Sequence, residues 1–341
     1  MKTLQLLNRK LQINGFSNIQ FLEQGSFVTC FTAINNNQEK VVITVSNNAN
    51  ELETRMSASD RVNGIQGVQK YYEYNQLKIN QNELNEINKI YPGVFSQTSA
   101  VLIGPFYETH FNTHIAKLKL KEKIELFHEL LKIVKQIHTK GIYHMDLKPS
   151  NIMIQNGKPI IIDFGQAVSE RIVESVQNTS AYAPKHDVYS CRVFSEKFDV
   201  YCLGNILHEI YINQPLSSPL STIEKLQNAV GESAASCIFG MTLRQQDYRY
   251  TLDQCLTHPL FNPQITLEEF YTANRIVVSC LPSAAISRNY SYSNAYQQNQ
   301  PTQSNFQKQS LQDLCGFEMF SCIQSCALSL ENSDIDLVEY I

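Results

Sequence analysis

Asp146, Lys148 and Asn151 stand within six consecutive residues, and a further aspartate, Asp163, follows twelve residues after the last of them. These residue types at this spacing suit phosphoryl transfer assisted by metal ions. The first carboxylate can accept the proton of an attacking hydroxyl. The lysine can neutralise charge on the phosphoryl group in flight. Asn151 and Asp163 offer the hard oxygen atoms that bind a cation bridging phosphates.

The elements that must position this group can be read from periodicity. Ile124, Phe127, Leu130, Leu131, Val134 and Ile137 fall on one helical face, and Gly141 ends that helix as a left-handed cap. The chemistry-bearing loop follows at once. Ile152-Met153-Ile154 and Ile160-Ile161-Ile162 predict two short buried strands around the turn Asn156-Gly157. Further helices are expected over 199–212, near 222–230 and over 251–258.

Upstream the period is shorter. Residues 19–22, 28–34 and 41–45 read as strands, the last two joined through Asn35-Asn36-Asn37. A helix is expected over 49–60, then strands from Val68 to Tyr74 and from Ala100 to Ile103. The Asn/Gln-rich stretch 75–99 between these strands exceeds an ordinary connection, and 80–91 is an alternative helix.

The run His144-Met145-Asp146-Leu147-Lys148-Pro149-Ser150-Asn151, followed by Asp163-Phe164-Gly165, resembles the catalytic loop and metal-binding motif of eukaryotic protein kinases of the serine/threonine type. The resemblance spans residues 16–262. It implies an α+β, two-lobed fold, with a small β-rich lobe (about 16–105) before a larger helical lobe (about 106–262), preceded by an extension (1–15). It implies Asp146 and Lys148 as catalytic residues, Asn151 and Asp163 as magnesium ligands, and Gly25, Lys148, Asn151 and Asp163 as contacts for ATP. His144 and Phe164 would pack beneath the loop. Asp199, in Phe198-Asp199-Val200-Tyr201, would brace the loop backbone, and Arg249 would belong to the end of the large lobe.

The small lobe departs from that pattern. Where the family reads V-A-I-K, this chain reads Val41-Val42-Ile43-Thr44. The lysine that grips the α- and β-phosphates is therefore missing. Losing one charge-assisted hydrogen bond costs about 1.5–3 kcal/mol, or roughly ten- to a hundredfold in rate. Lys40 is too distant to substitute, about 13 Å along the strand. Leu22-Glu23-Gln24-Gly25-Ser26-Phe27-Val28 keeps only the middle glycine of the GxGxxG loop. The helix glutamate that would pair with the lysine is Glu53 or Glu51 if the helix is 49–60, and Glu83 or Glu86 if it is 80–91.

Met145 stands where many members carry an arginine that holds a phosphorylated activation loop. Thr179-Ser180-Ala181-Tyr182-Ala183-Pro184-Lys185-His186 resembles the APE region but lacks the glutamate that would pair with Arg249. Two readings follow. One is a divergent kinase that binds Mg-ATP and phosphorylates Ser/Thr hydroxyls of a protein substrate with weakened activity. The other is a pseudokinase that regulates a partner protein.

Composition narrows the remaining classes. A net charge of −4 without a dense Lys/Arg run offers no footprint for nucleic acid. No apolar run approaches the ~18 residues of a membrane span, and the first ten residues do not read as a signal peptide. Nine scattered cysteines without a CxxC pair fit reduced thiols in an intracellular, cytoplasmic setting. In the tail, 263–341, residues 285–310 are Ser/Asn/Gln/Tyr-rich and expected to be disordered. Leu311, Leu314, Phe317, Phe320, Ile323 and Leu328 partly fit an amphipathic helix.

Overall fold

The computed structural model describes residues 15–25, 28–176, 178, 180–188, 190, 192–214 and 223–276. All of these fall in one unit that ends at Ala285. The expectations for the tail beyond 285, including Cys315, Cys322 and Cys326, lie outside the described residues, as do those for Thr179, Cys191 and Cys280.

Five strands build an antiparallel sheet in the order β1-β2-β3-β5-β4: β1 Ser17–Gln24, β2 Thr29–Ile34, β3 Lys40–Ser46, β4 Glu73–Lys78 and β5 Thr98–Pro105. The β2–β3 hairpin closes on Asn35, whose side-chain oxygen accepts the N–H groups of Asn37 and Glu39 at 3.0 and 2.9 Å. Alternation along β3 then decides which side chains meet. Val41, Ile43 and Val45 enter a core with Phe31, Ala33, Val101 and Ile103. Thr44 faces the other way, paired with Cys30 on β2 and Leu102 on β5.

Helix α1 (Ala49–Arg61) covers that second face, packing Leu52 against Ala100 and Leu102. The side of the sheet that carries Thr44 is therefore the side that α1 approaches. The helix over 49–60 is as expected.

The strand expected over Val68–Tyr74 is displaced. Val68 makes only an isolated parallel bridge with Ile161, and the sheet strand begins at Glu73. The backbone groups on either side of Val68 bond elsewhere: Ile161 donates to the Gly67 carbonyl, and Gln69 donates to the Ile161 carbonyl, at 2.9 and 2.8 Å. The true β4, with Glu73, Asn75, Gln76 and Lys78, is an edge strand too polar for hydrophobic alternation to reveal. The 75–99 stretch is not one long loop. It contains the end of β4 and helix α2 (Gln81–Ile87), started by a capping box between Asn80 and Glu83. The alternative helix over 80–91 thus exists in shortened form alongside α1.

Below the sheet, Thr109–His110 (β6) leads into α3 (Phe111–Ile115) and the long α4 (Leu120–Thr139). In α4, Leu126, Phe127, Leu130, Leu131, Ile133, Val134 and Ile137 are buried. Each contributes roughly 1.5–3 kcal/mol of burial. Ile124 is only half-buried. Gly141, at φ +66°, ends the helix and turns the chain into the loop. Strands β7 (Ile152–Gln155) and β8 (Lys158–Ile161) pair across Asn156 and Gly157, both at positive φ, as the turn chemistry requires. After the short β9 (Ile172–Val173), α5 (Lys185–Val188) and β10 (Val193–Phe194), helix α6 (Ser195–Ile212) runs through the centre of the lower core. Helices α7 (Ile223–Val230), α8 (Glu232–Met241), α9 (Leu252–Thr257) and α10 (Leu267–Ala273) complete the unit.

Candidate active site

The loop after α4 is held by one buried carboxylate. Asp199, in the second turn of α6, accepts the backbone N–H of His144 on Oδ2 and that of Met145 on Oδ1, both at 2.8 Å. His138 Nε2 lies 2.8 Å from the same Oδ2. The bracing role expected of Asp199 is what the geometry contains. It also explains Met145, which sits at φ +61°, a conformation uncommon for a bulky side chain. The two N–H anchors and burial of its side chain hold it there.

Asp146 follows with its carboxylate engaged on both oxygens. Oδ2 accepts from Lys148 Nζ at 2.7 Å and from Asn151 Nδ2 at 3.0 Å. Asn151 Nδ2 also donates to the Asp146 carbonyl at 2.8 Å. Both amide protons of Asn151 are thereby spent, and its side-chain carbonyl oxygen has no partner among the described residues. Oδ1 of Asp146 accepts from Asn178 at 3.1 Å, and the same amide donates to the Met145 carbonyl at 2.8 Å. Asn178 was not anticipated. It lies directly before the segment likened to APE, and nothing in its sequence setting marks it.

Asp163 arrives from the end of β8. Ile162, the residue before it, donates its N–H to the Asn151 carbonyl at 2.9 Å, so the two proposed metal ligands hang from one backbone pairing. Asp163 adopts a left-handed conformation, φ +64°, which a short acidic side chain tolerates. Its Oδ1 accepts Gly165 N–H at 3.2 Å, and its own N–H donates to Gln69 Oε1 at 3.1 Å. Phe164 is buried and packs on His144, with ring centroids 5.0 Å apart. His144 Nδ1 accepts the Asp146 N–H at 3.3 Å, which leaves Nε2 as the donor to the Ile162 carbonyl at 3.0 Å. Both side chains are structural, as expected.

The small-lobe side of the site holds the main surprise. Arg55 Nη1 reaches Asp163 Oδ1 at 2.6 Å, and Nη2 reaches Glu51 Oε1 at 2.8 Å. Burial works against the Arg55 charge, but the nearby Asp163, Tyr71 and Glu51 outweigh it and hold the guanidinium above its usual range. The helix glutamate facing the site is thus Glu51. Glu53 points elsewhere, accepting from Tyr74 Oη at 3.2 Å. Glu83 caps α2, and Glu86 pairs with Lys89. With Thr44 on the strand, Glu51 lacks the usual strand lysine, and its cation, Arg55, comes from the same helix. An acidic residue four before a basic one was a readable signal for this pair.

Thr44 is buried against Cys30, Oγ1 to Sγ at 3.7 Å. Burial raises the Cys30 thiol to about 11, so it stays protonated. Lys40 lies over the Phe106 ring, 3.7 Å from its centre, and takes no part. Gly25 donates its N–H to the Val28 carbonyl at 2.8 Å, closing the turn after β1. A Cβ there would meet Val28 at an ordinary 3.5 Å, so neither conformation nor space demands glycine.

The anchor of Arg249 is also corrected. Its guanidinium is bound by Asp187, three residues after Pro184, in place of the absent glutamate.

The donor set suits magnesium shared with phosphates. Among the described residues, no group of three His, Cys, Asp or Glu side chains forms a cage. Asp163 Oδ2 and Asn151 Oδ1 are hard oxygens without a protein partner among those residues. Magnesium is commonly bound by one or two such oxygens, with water and phosphate completing its shell.

Comparison with known proteins gives a consistent result. The protein kinase domain family matches residues 16–261. A probable serine/threonine-protein kinase, glkA, of Dictyostelium discoideum is 26% identical over 222 residues, covering 62% of this chain and 42% of that protein. Serine/threonine-protein kinase MPS1 of Encephalitozoon cuniculi is 26% identical over 219 residues, covering 54% of this chain and 37% of its own length. A Wee1-like protein kinase of Arabidopsis thaliana is 28% identical over 154 residues, covering 43% and 31%. The chain spans less than half the length of these relatives.

Proposed function

This chain belongs to the protein kinase family, and on that premise we propose that it binds Mg-ATP and transfers the γ-phosphoryl group to Ser or Thr hydroxyls of a protein substrate, at a reduced rate. The observation that carries the reading is the bonded set at Asp146. Its carboxylate is fixed by Lys148 and Asn151 within 3.0 Å, and the Asn151 backbone carbonyl accepts the N–H of Ile162, the residue before Asp163.

In this reading Asp146 orients the substrate hydroxyl and accepts its proton, a contribution of roughly 10²–10⁴ in rate. Lys148, bonded to that carboxylate, carries the charge that would offset negative charge on the oxygens of the transferred group. Asn151 holds the Asp146 carboxylate through its amide, and its side-chain oxygen and a carboxylate oxygen of Asp163 would hold the cation. Magnesium bound there would neutralise the phosphates. Asn178 limits how the Asp146 carboxylate can turn. Gly25 contributes a turn over the nucleotide and little more.

Thr44, with Glu23 and Val28 standing where the family's loop has glycines that let the backbone approach phosphate, favours the second reading, a pseudokinase that keeps the fold to regulate a partner protein. The free thiols of Cys30, Cys202, Cys237 and Cys255 support an intracellular, cytoplasmic setting. Among the described residues no helix is long and apolar enough to cross a membrane.

A transfer assay with radiolabelled ATP, run with magnesium and with manganese, separates the two. Label incorporated by the wild-type chain and absent from Asp146→Asn supports the enzyme. Mg-dependent ATP binding without any transfer supports the pseudokinase. No nucleotide binding at millimolar concentration rejects the enzyme and leaves a pseudokinase that works without nucleotide.

A further inference from the structure

We propose that Arg55, carried on α1, is the residue that grips the nucleotide's phosphates in this chain, so that the positive charge missing at Thr44 enters the cleft from the helix instead of the strand. This rests on the reading that the site binds ATP.

The placement of the charge comes first. Thr44 faces α1, because its cross-strand neighbour Leu102 packs on Leu52 of that helix. Arg55 lies one turn beyond Leu52, and its guanidinium reaches Asp163 at 2.6 Å. A cation is therefore seated against the proposed metal ligand, on the side of the cleft where β3 presents Thr44 and β2 presents Cys30.

The space for it is built in. A Cβ on Gly165 would lie 2.9 Å from Arg55 Nη2 and 3.0 Å from Nε, so the guanidinium would have to shift from its place there. The absence of a side chain at residue 165 leaves the guanidinium its present position beside Asp163.

The bonding of Arg55 is incomplete in a telling way. The residue is 9% exposed, and its two Nη groups are matched by Asp163 and Glu51. Among the described residues Nε has no hydrogen-bond partner, and the buried Tyr71 hydroxyl lies beside the same guanidinium. A buried guanidinium that keeps a donor unspent is costly unless something accepts from it. Phosphate oxygens are strong acceptors for arginine, which presents its donors in a planar fork.

The contact with Asp163 leaves room for the metal. Arg55 and Gly165 N–H both use Oδ1, so Oδ2 stays available. Arg55 accordingly acts beside the cation and does not plug its site. Glu51 anchors it from one turn earlier on the same helix. What would otherwise be a strand-to-helix ion pair becomes an ion pair within α1.

The test is calorimetric titration of the full chain with Mg-ATP and, separately, with adenosine. Arg55→Met is expected to weaken Mg-ATP binding about tenfold or more, the loss of a charge-assisted bond, with adenosine affinity changed less than about twofold. Thr44→Lys combined with Arg55→Met should recover most of the ATP affinity, since it returns a cation from the strand side. Should Arg55→Met fold poorly, Arg55→Lys keeps the charge with fewer donors and should lose part of the ATP affinity alone. An unchanged or tighter ATP affinity in Arg55→Met would overturn the proposal while leaving ATP binding intact. Equal losses for ATP and adenosine, or no recovery in the double variant, would overturn it in favour of a packing role. A wild-type chain that binds neither ligand would overturn it together with the reading of the site.

Discussion

Arg249 grips both carboxylate oxygens of Asp187, Nη1 to Oδ2 at 2.9 Å and Nη2 to Oδ1 at 3.3 Å, with both side chains almost wholly removed from water. The remaining donors are also spent. Nε bonds the Leu243 carbonyl, Nη1 that of Lys197 and Nη2 that of Arg244. The Tyr201 ring lies 4.9 Å from the guanidinium. The carboxylate on α5 thereby ties the segment before α6 to the loop after α8. A glutamate in the family's usual position is not needed for this anchor.

Removing one partner of such a pair strands the other as a buried charge, at a cost of about 3–5 kcal/mol. Asp187→Ala is expected to lower the melting temperature by about 10 °C, at roughly 2–4 °C per kcal/mol for a domain of this size. Thermal unfolding followed by circular dichroism measures it. A fall under 2 °C would mean that the pair is structurally idle.

Asp146→Asn keeps the size of the side chain but removes the proton acceptor. Transfer to protein substrate should disappear, while Mg-ATP affinity stays within about threefold, because neither proposed metal ligand is altered. Residual transfer at the wild-type rate would exclude Asp146 as the base.

Thr44→Lys alone tests whether the cleft already holds its cation. With Arg55 beside Asp163, a second positive charge from β3 meets like charge. The expected outcome is Mg-ATP affinity unchanged within about threefold, or lower. A tenfold gain, read by the same titration, would show that the cleft still lacks a cation.

His258 makes stability depend on pH. The imidazole is wholly buried, and burial lowers it to about 3. Nδ1 accepts the Leu260 N–H at 3.1 Å, so Nε2 carries the proton and faces Ser236 Oγ at 3.2 Å. Adding a proton to Nδ1 would set two N–H groups against each other. The unfolded chain takes up that proton near 6.5, whereas the folded chain resists it until about 3. This contribution is therefore full above pH 6.5 and is lost as pH falls toward 3, by about 2 kcal/mol at pH 5. His258→Asn should flatten the fall in melting temperature between pH 7 and 5. Parallel curves for the two proteins would refute the assignment.

Asp199→Ala should release the N–H groups of His144 and Met145 and with them the strained φ of Met145. Transfer should fall at least a hundredfold, with a melting temperature lowered by about 5 °C or more. Unaltered turnover would mean that the loop holds its shape without the carboxylate.

Much of this protein can be read along the chain because the information is local. The spacing of Asp146, Lys148 and Asn151 reports a cluster whose mutual side-chain bonds stay within six residues. The stripe from Phe127 to Ile137 reports a helix, since its period is a property of the backbone. The Asn156-Gly157 turn reports the β7–β8 hairpin for the same reason. The remainder depends on partners far apart in sequence. Val68 and Gln69 look like strand but pair with Ile161, and β4 is polar because it is an edge. Asp187 meets Arg249 across sixty-two residues. Arg55 meets Asp163 only because Leu52 seats α1 on the Thr44 face of the sheet. Residue types and short spacings determined which chemistry is on offer. Where each charge stands within the cleft was decided by packing, because side chains brought together from separate elements leave no periodic trace in the chain.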